Sequence, residues 1–277
     1  MRGRLSKMHT ELASPIKYQL PLSDNLLPLN LSIGYQIEIL FTGEIFCINC
    51  GRKTSKSFNQ GHCFPCFKKL ASCDMCILQP ERCHFHLGTC REPDWAENHC
   101  MQPHIVYLAN SSGLKVGITR KTQVPTRWID QGAIQALPIL QVPSRYVSGL
   151  VEVAIANFVS DKTSWQKMLK NQTEQLDMIA AKETLLQQTS DQLQQIRNQF
   201  GIDCLQPIEQ DVVELNYPVE QYPEKVKSHN LDKTPSVSGQ LMGIKGQYLI
   251  MDTGVINIRK FTGYDVTFII QDMQNKS

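Results

Sequence analysis

At 277 residues the chain is long enough for one large domain or two to three small ones, and its 42% hydrophobic content supports a real core. Its 28 basic and 26 acidic side chains leave a net charge of only +2, so bulk charge is no warrant for a nucleic-acid partner. The longest apolar run, residues 150–159, carries Glu152 and is too short to cross a bilayer, which excludes a membrane-spanning helix there.

Residues 1–46 read as an N-terminal β segment. The first seven residues are basic, but His9, Glu11 and Lys17 occupy the stretch where a secretion leader would be apolar. The expectation is a cytoplasmic protein with reduced thiols. Residues 32–41 alternate as a strand does, with Tyr35, Ile37 and Ile39 on one face. Thr42, Gly43 and Glu44 are then expected to turn the chain.

Residues 47–100 hold nine of the ten cysteines. The first four stand as two Cys-x-x-Cys knuckles, Cys47 with Cys50 and Cys63 with Cys66. Each knuckle can present two thiolates to one side of a tetrahedron, so together they close a structural Zn2+ site. A disulfide pair is the alternative, and it needs a secreted protein. Cys73 and Cys76 form a further knuckle. Its partners stay open among Cys83, His84, His86, Cys90, His99 and Cys100, with Cys83 and Cys90 the first choice and Cys100 next. A second zinc is expected here, against buried thiols that simply pack. A segment this small needs metal to fold. Residues 45–72 also carry five basic side chains (Arg52, Lys53, Lys56, Lys68, Lys69) and no acidic one, interleaved with Phe58, Phe64 and Phe67. That mixture suits phosphate and base contacts, or equally a soluble module with an aromatic core.

Residues 101–160 change pattern. Strands at 104–109 and 114–119 flank the turn Asn110-Ser111-Ser112-Gly113, giving a hairpin. A helix at 126–131 should be stopped by Gly132, a strand runs over 136–142, and Ser144 can cap a helix over 144–160. Residues 161–200 are Gln-rich and helical. Ile179, Leu186, Leu193 and Phe200 recur every seven residues, read as a helical hairpin that offers a protein-partner surface. Residues 201–277 open with a Pro-bearing loop and end in short strands with Gly-rich turns. These are too short to stand alone. They are expected to join the N-terminal strands in one small barrel or sandwich, giving an α+β fold overall.

Four residues suit phosphodiester chemistry. Tyr107 can orient or activate a water, and Arg127 can grip a phosphate in bidentate fashion. Glu152, in Leu150-Val151-Glu152-Val153-Ala154-Ile155, is costly to bury unpaired and so calls for a cation, either Arg127 or Mg2+ or Mn2+. The alternative for Glu152 is the wet face of an amphipathic helix. Lys115 can bind phosphate, or act as a base if its pKa falls.

The segments Ile105-Val106-Tyr107 and Lys115-Val116-Gly117-Ile118-Thr119, followed by Arg127 and Glu152, resemble the GIY-YIG nuclease domain over about a fifth of the chain. The resemblance implies an antiparallel sheet with helices and a site at Tyr107, Lys115, Arg127 and Glu152. Ile105 stands where the family has Gly, and Lys115 where commoner members have Tyr. Tyr107 to Arg120, Thr126 to Ala133 and Gly88 to Pro93 also resemble a family of bacterial proteins of unknown function, across most of the chain. That implies a cytoplasmic zinc protein with a GIY-YIG-like core. The resulting expectation is a zinc-containing DNA- or RNA-binding protein with a nuclease site. An inactive nucleic-acid-binding or protein-interaction module is the alternative.

Overall fold

The computed structural model describes residues 1–159 and 164–271. The expected boundary at 160/161 lies outside the described residues, and the helix expected over 144–160 ends earlier, at Ala156. The fold is α+β, built on three open antiparallel sheets.

The largest sheet runs in the order Arg2–Arg4, Tyr264–Gln271, Gln36–Phe46, Ser236–Lys245, Tyr248–Met251, Gly254–Asn257, with Lys53–Thr54 added beside Gln36–Phe46. N- and C-terminal strands therefore do join. They form an open sheet, and the barrel is corrected, because the outer strands of this order do not pair with each other. Packing covers the apolar face instead of closure. A three-stranded sheet (His9–Glu11, Lys17–Leu22, Asn25–Pro28) contributes Tyr18, Leu20 and Leu22 to the same core as Ile37, Ile39, Leu241 and Phe268.

Within Gln36–Phe46, Ile37 and Ile39 are buried as the alternation requires. Tyr35 lies outside the strand and is exposed, because Gly34 at φ +89° ends the extended run before it. The turn expected at Thr42-Gly43-Glu44 is a bulge within the strand. The step from Phe41 to Ile45 is matched by only the step from Val266 to Tyr264 opposite, and Gly43 takes φ +85°.

The middle sheet holds the predicted hairpin, His104–Asn110 with Leu114–Arg120, and the strand Gln135–Val142. Two short strands from beyond residue 200, Gln206–Pro207 and Val213–Glu214, extend it. One face (Ile105, Tyr107, Ala109) enters the core of the large sheet. The other (Val106, Leu108, Ile118) packs on the helix Arg145–Ala156 and on Leu185, Leu193 and Ile196. Ser144 caps that helix as expected, its Oγ accepting from the Val147 amide at 3.3 Å. Gly132 follows the helix Thr126–Asp130 at φ +68°.

The expected helical hairpin is instead two consecutive helices, Met178–Gln188 and Ser190–Phe200, joined at Thr189. The Thr189 amide donates to the Leu185 carbonyl and its own carbonyl accepts from Leu193, but at φ −101° and ψ 8° Thr189 interrupts the ladder and separates the two helices. Ile179, placed on the seven-residue seam, is exposed, while Met178 beside it is buried.

Candidate functional site

The first knuckle follows the bulged strand. Gly51 at φ +71° folds the chain back, the Gly51 amide donating to the Cys47 carbonyl at 2.9 Å. The second opens the helix Phe64–Lys69, with Pro65 in its first turn. The four sulfurs of Cys47, Cys50, Cys63 and Cys66 lie within 4.8 Å of one another, and the Cys50 and Cys63 sulfurs are 3.7 Å apart. A tetrahedral ion with bonds of about 2.3 Å needs sulfurs about 3.8 Å apart, so this cluster fits zinc. Asn49 Nδ2 donates to the Cys66 sulfur at 3.4 Å, the sort of outer contact that orients a ligand.

The basic and aromatic run of this module divides. Phe58 packs on Phe64 and Phe67 with ring centroids at 5.4 and 5.7 Å, a surface cluster in which Phe64 stays exposed. Lys53 pairs with Glu44 at 2.8 Å. The module's Asn59, Gln60, His62 and Ser72 instead face a cleft of about 600 Å3 shared with the hairpin and the large sheet.

That cleft gathers two of the four sequence-predicted site residues, Arg127 and Glu152. Gly117, Arg127 and Glu152 line it. Tyr107 lies directly opposite Gly117 in the hairpin, fully buried, and its hydroxyl donates to Gln131 Oε1 at 3.1 Å beside the Arg127 guanidinium. Burial pushes the Tyr107 phenol up to about 12, so it holds its proton at neutral pH. Burial also raises the Glu152 carboxyl to about 7, against the pull of Arg145 and Arg127. Lys115 sits on the same face as Gly117, opposite Ala109, and is not among the described residues that line the cleft.

Sequence reasoning missed two cleft residues. Arg145 opens the helix that carries Glu152. Its Nη2 donates to the Ile77 carbonyl at 2.6 Å, and its Nε is buried with no hydrogen-bond partner. An arginine just after the Ser144 cap was the available signal. Arg259, in the short turn Ile258–Phe261, enters from the large sheet and faces Asp130 and Arg127. Asp130 is itself held by Lys7 and by Gln247 Nε2. Five cations (Lys7, Arg120, Arg127, Arg145, Arg259) thus share the cleft with two carboxylates, Asp130 and Glu152.

The cysteine-rich stretch braces this arrangement. A Cβ on Gly149 would stand 2.5 Å from the Glu81 amide nitrogen, so glycine lets the helix of Glu152 press on the turn Pro80–Arg82. Cys76, Cys83, Cys90 and Cys100 line a separate small cavity, whereas Cys73 accepts from Asn59 Nδ2 at 3.3 Å. Asp74, Cys76 and His84 also form a group whose ligand atoms lie within 4.8 Å of one another.

Among the described residues no helix is long and apolar enough to cross a membrane. Comparison with curated proteins and with solved structures finds no match. Residues 34–266 match the profile of a family described as "Protein of unknown function (DUF2797)". With a match over most of its length, and with four thiols set to hold a metal ion, the chain belongs to the DUF2797 family.

Proposed function

We propose that this protein is a cytoplasmic, zinc-stabilised nucleic-acid-binding phosphodiesterase of GIY-YIG-like design, working in the cleft between the zinc module, the hairpin and the large sheet. The observation that carries this reading is the convergence on one cleft of Arg127, Glu152 and Gly117, with Tyr107 buried directly behind Gly117. The excess of cations suits a phosphodiester backbone. Arg145 and Arg127 line the same cleft as Glu152, so negative charge arriving there meets guanidinium donors.

Each residue has a distinct part. Arg127 and Arg259 bind the phosphoryl oxygens and offset the charge that develops on them. Tyr107, protonated and fixed by Gln131, orients the attacking water as a hydrogen-bonding partner and does not act as a base. Glu152 is the one cleft carboxylate not already held by a lysine, and it would hold Mg2+ or Mn2+. Such an ion, when bound, supplies Lewis-acid stabilisation and an activated water. Zinc in the Cys47, Cys50, Cys63 and Cys66 cluster keeps the Asn59–His62 wall of the cleft in place.

The test is cleavage of labelled DNA and RNA with Mg2+ or Mn2+, wild type against Glu152→Ala. Metal-dependent cutting that vanishes in the variant is expected. Binding without cutting in either protein would reduce the site to an inactive binding module. The absence of binding at low salt would defeat both readings, because phosphate contacts are strongest there.

A further inference from the structure

We propose that Cys76, Cys83, Cys90 and Cys100 hold a second structural zinc ion, with Cys73 outside the ligand set. This inference rests on none of the nuclease chemistry above.

The first argument is mechanical. Residues 71–100 consist of four short turns (Ala71–Cys73, Met75–Ile77, Pro80–Arg82, Phe85–Leu87) and the helix Pro93–His99. Only Ala71, Cys73, Pro80, Ala96 and Cys100 are buried in this stretch, and none of its residues belongs to an apolar core cluster. Hydrophobic burial therefore cannot account for so irregular a segment holding one shape. A bound ion supplies the missing free energy in domains of this kind.

The second argument is geometric. The four thiols arrive from four separate elements. Cys76 lies in the turn Met75–Ile77, and Cys83 follows the turn Pro80–Arg82. Cys90 comes two residues after Gly88 at φ +69°, and Cys100 ends the helix Pro93–His99. All four line one cavity of about 10 Å3, together with Asp74, His84, Trp95 and Ala96. That is room for about one water-sized particle, so an ion fits and a larger ligand does not. Four thiols lining one cavity offer a zinc donor set, and the ion would draw them inward, since no three of their sulfurs lie within 4.8 Å of one another here.

The competing ligands are already engaged. Cys73 does not line this cavity; its sulfur accepts from Asn59 Nδ2, on the side of the first zinc module. The Asp74 carboxylate takes Arg91 Nε at 2.7 Å and the Met75 amide at 2.6 Å. His84 Nε2 lies 3.6 Å from that carboxylate, and its Nδ1 is 2.8 Å from Thr89 Oγ1. Asp74 and His84 are thus outer partners beside Cys76, where they steady the loop that carries it.

A second ion here would set the start of the Glu152 helix. The Arg145 amide donates to the Cys100 carbonyl at 2.7 Å, and the Arg145 guanidinium donates to the carbonyl of Ile77, next to Cys76. Arg145 is in this sense a positioning residue tied to the metal centre from both sides.

Zinc content of the purified full chain by elemental mass spectrometry tests the proposal, together with X-ray absorption at the zinc edge. Two ions per chain are expected, each with four sulfur neighbours. Cys100→Ser and Cys83→Ser should fall to one ion, while Cys73→Ser and His84→Ala keep two. One ion in the wild type, a nitrogen or oxygen neighbour at zinc, or loss of an ion in Cys73→Ser would overturn it. Should Cys100→Ser fail to fold, Cys73→Ser holding two all-sulfur ions still decides in favour, since only those four thiols remain in the stretch.

Discussion

Tyr107 and Gly117 are a cross-strand pair in which one side chain occupies the space the other lacks. A Cβ on Gly117 would stand 2.7 Å from both the hydroxyl and Cζ of Tyr107. The ring lies flat across the hairpin only because nothing projects from the facing residue, and this leaves the hydroxyl within reach of Gln131 and Arg127. Gly117→Ala should therefore push Tyr107 out of place, at a cost of about 1–3 kcal/mol. Thermal unfolding reads the stability. The emission of Trp128, whose ring centroid lies 5.9 Å from that of Tyr107, reports the displacement. An unchanged melting temperature and an unchanged spectrum would show that the pair is not tight.

Glu152→Gln should lose metal-dependent cleavage and gain stability. The folded carboxyl is raised by burial to about 7, above its ordinary 4.5. The native state thus binds more protons than the unfolded chain between those values, and stability falls as pH rises through that window. The glutamine removes the penalty, worth about 1–2 kcal/mol at pH 8 after allowance for partial exposure and vanishing below about pH 5. Melting curves of the metal-free proteins at pH 5 and pH 8 check it. A destabilised variant at pH 8 would mean that the carboxylate is anchoring the fold.

Arg259→Gln should weaken binding to DNA and RNA alike without touching the hairpin. A residue that neutralises one phosphate lowers the slope of log affinity against log salt by about 1. Fluorescence titrations from low to moderate salt measure the slope, and an unchanged slope would remove Arg259 from the phosphate path.

Lys245 is fully buried in the large sheet. Its ammonium donates to Asn171 Oδ1 at 2.9 Å and lies 5.3 Å from the ring centroids of both Tyr217 and Tyr222. Burial draws its pKa down from 10.5 to about 8. The native state binds fewer protons than the unfolded chain between those values, so this group's contribution to stability rises with pH across the window. Lys245→Met should be at least as stable as wild type at pH 7, and the advantage should shrink by pH 10. Buried tyrosines with raised pKa pull the other way at high pH, so the difference between the two proteins is the quantity to read. A marked loss at pH 7 would show that the Asn171 and tyrosine contacts outweigh burial of the charge.

The parts legible in the sequence are the local ones. Knuckle spacing announced the Cys47–Cys66 cluster, the Asn110–Gly113 turn announced the hairpin, and Ser144 announced its helix, because each signal and its consequence lie within a few residues. Glu152 was visible from its apolar neighbours and from its place in the resemblance. Arg145 and Arg259 were not, since their importance comes from contacts with Ile77, Arg127 and Asp130 that only the folded chain makes. The seven-residue spacing at Ile179, Leu186 and Leu193 does not reveal the break at Thr189, nor that Met178 and not Ile179 faces the core. Similarly, strand patterns bring the two ends of the chain together without saying whether the sheet closes.

The neighbours of Gln36–Phe46 in its sheet have a consequence for the order of assembly. On either side it is bordered by Ser236–Lys245 and Tyr264–Gln271, and Arg2–Arg4 pairs with the latter. During synthesis the earliest strands therefore wait, edges open, while the zinc module and hairpin emerge and can settle. Arg259 leaves the ribosome between those two late strands, so the last wall of the cleft arrives as the sheet is completed. A nascent chain consequently lacks a finished cleft until almost all of it is made.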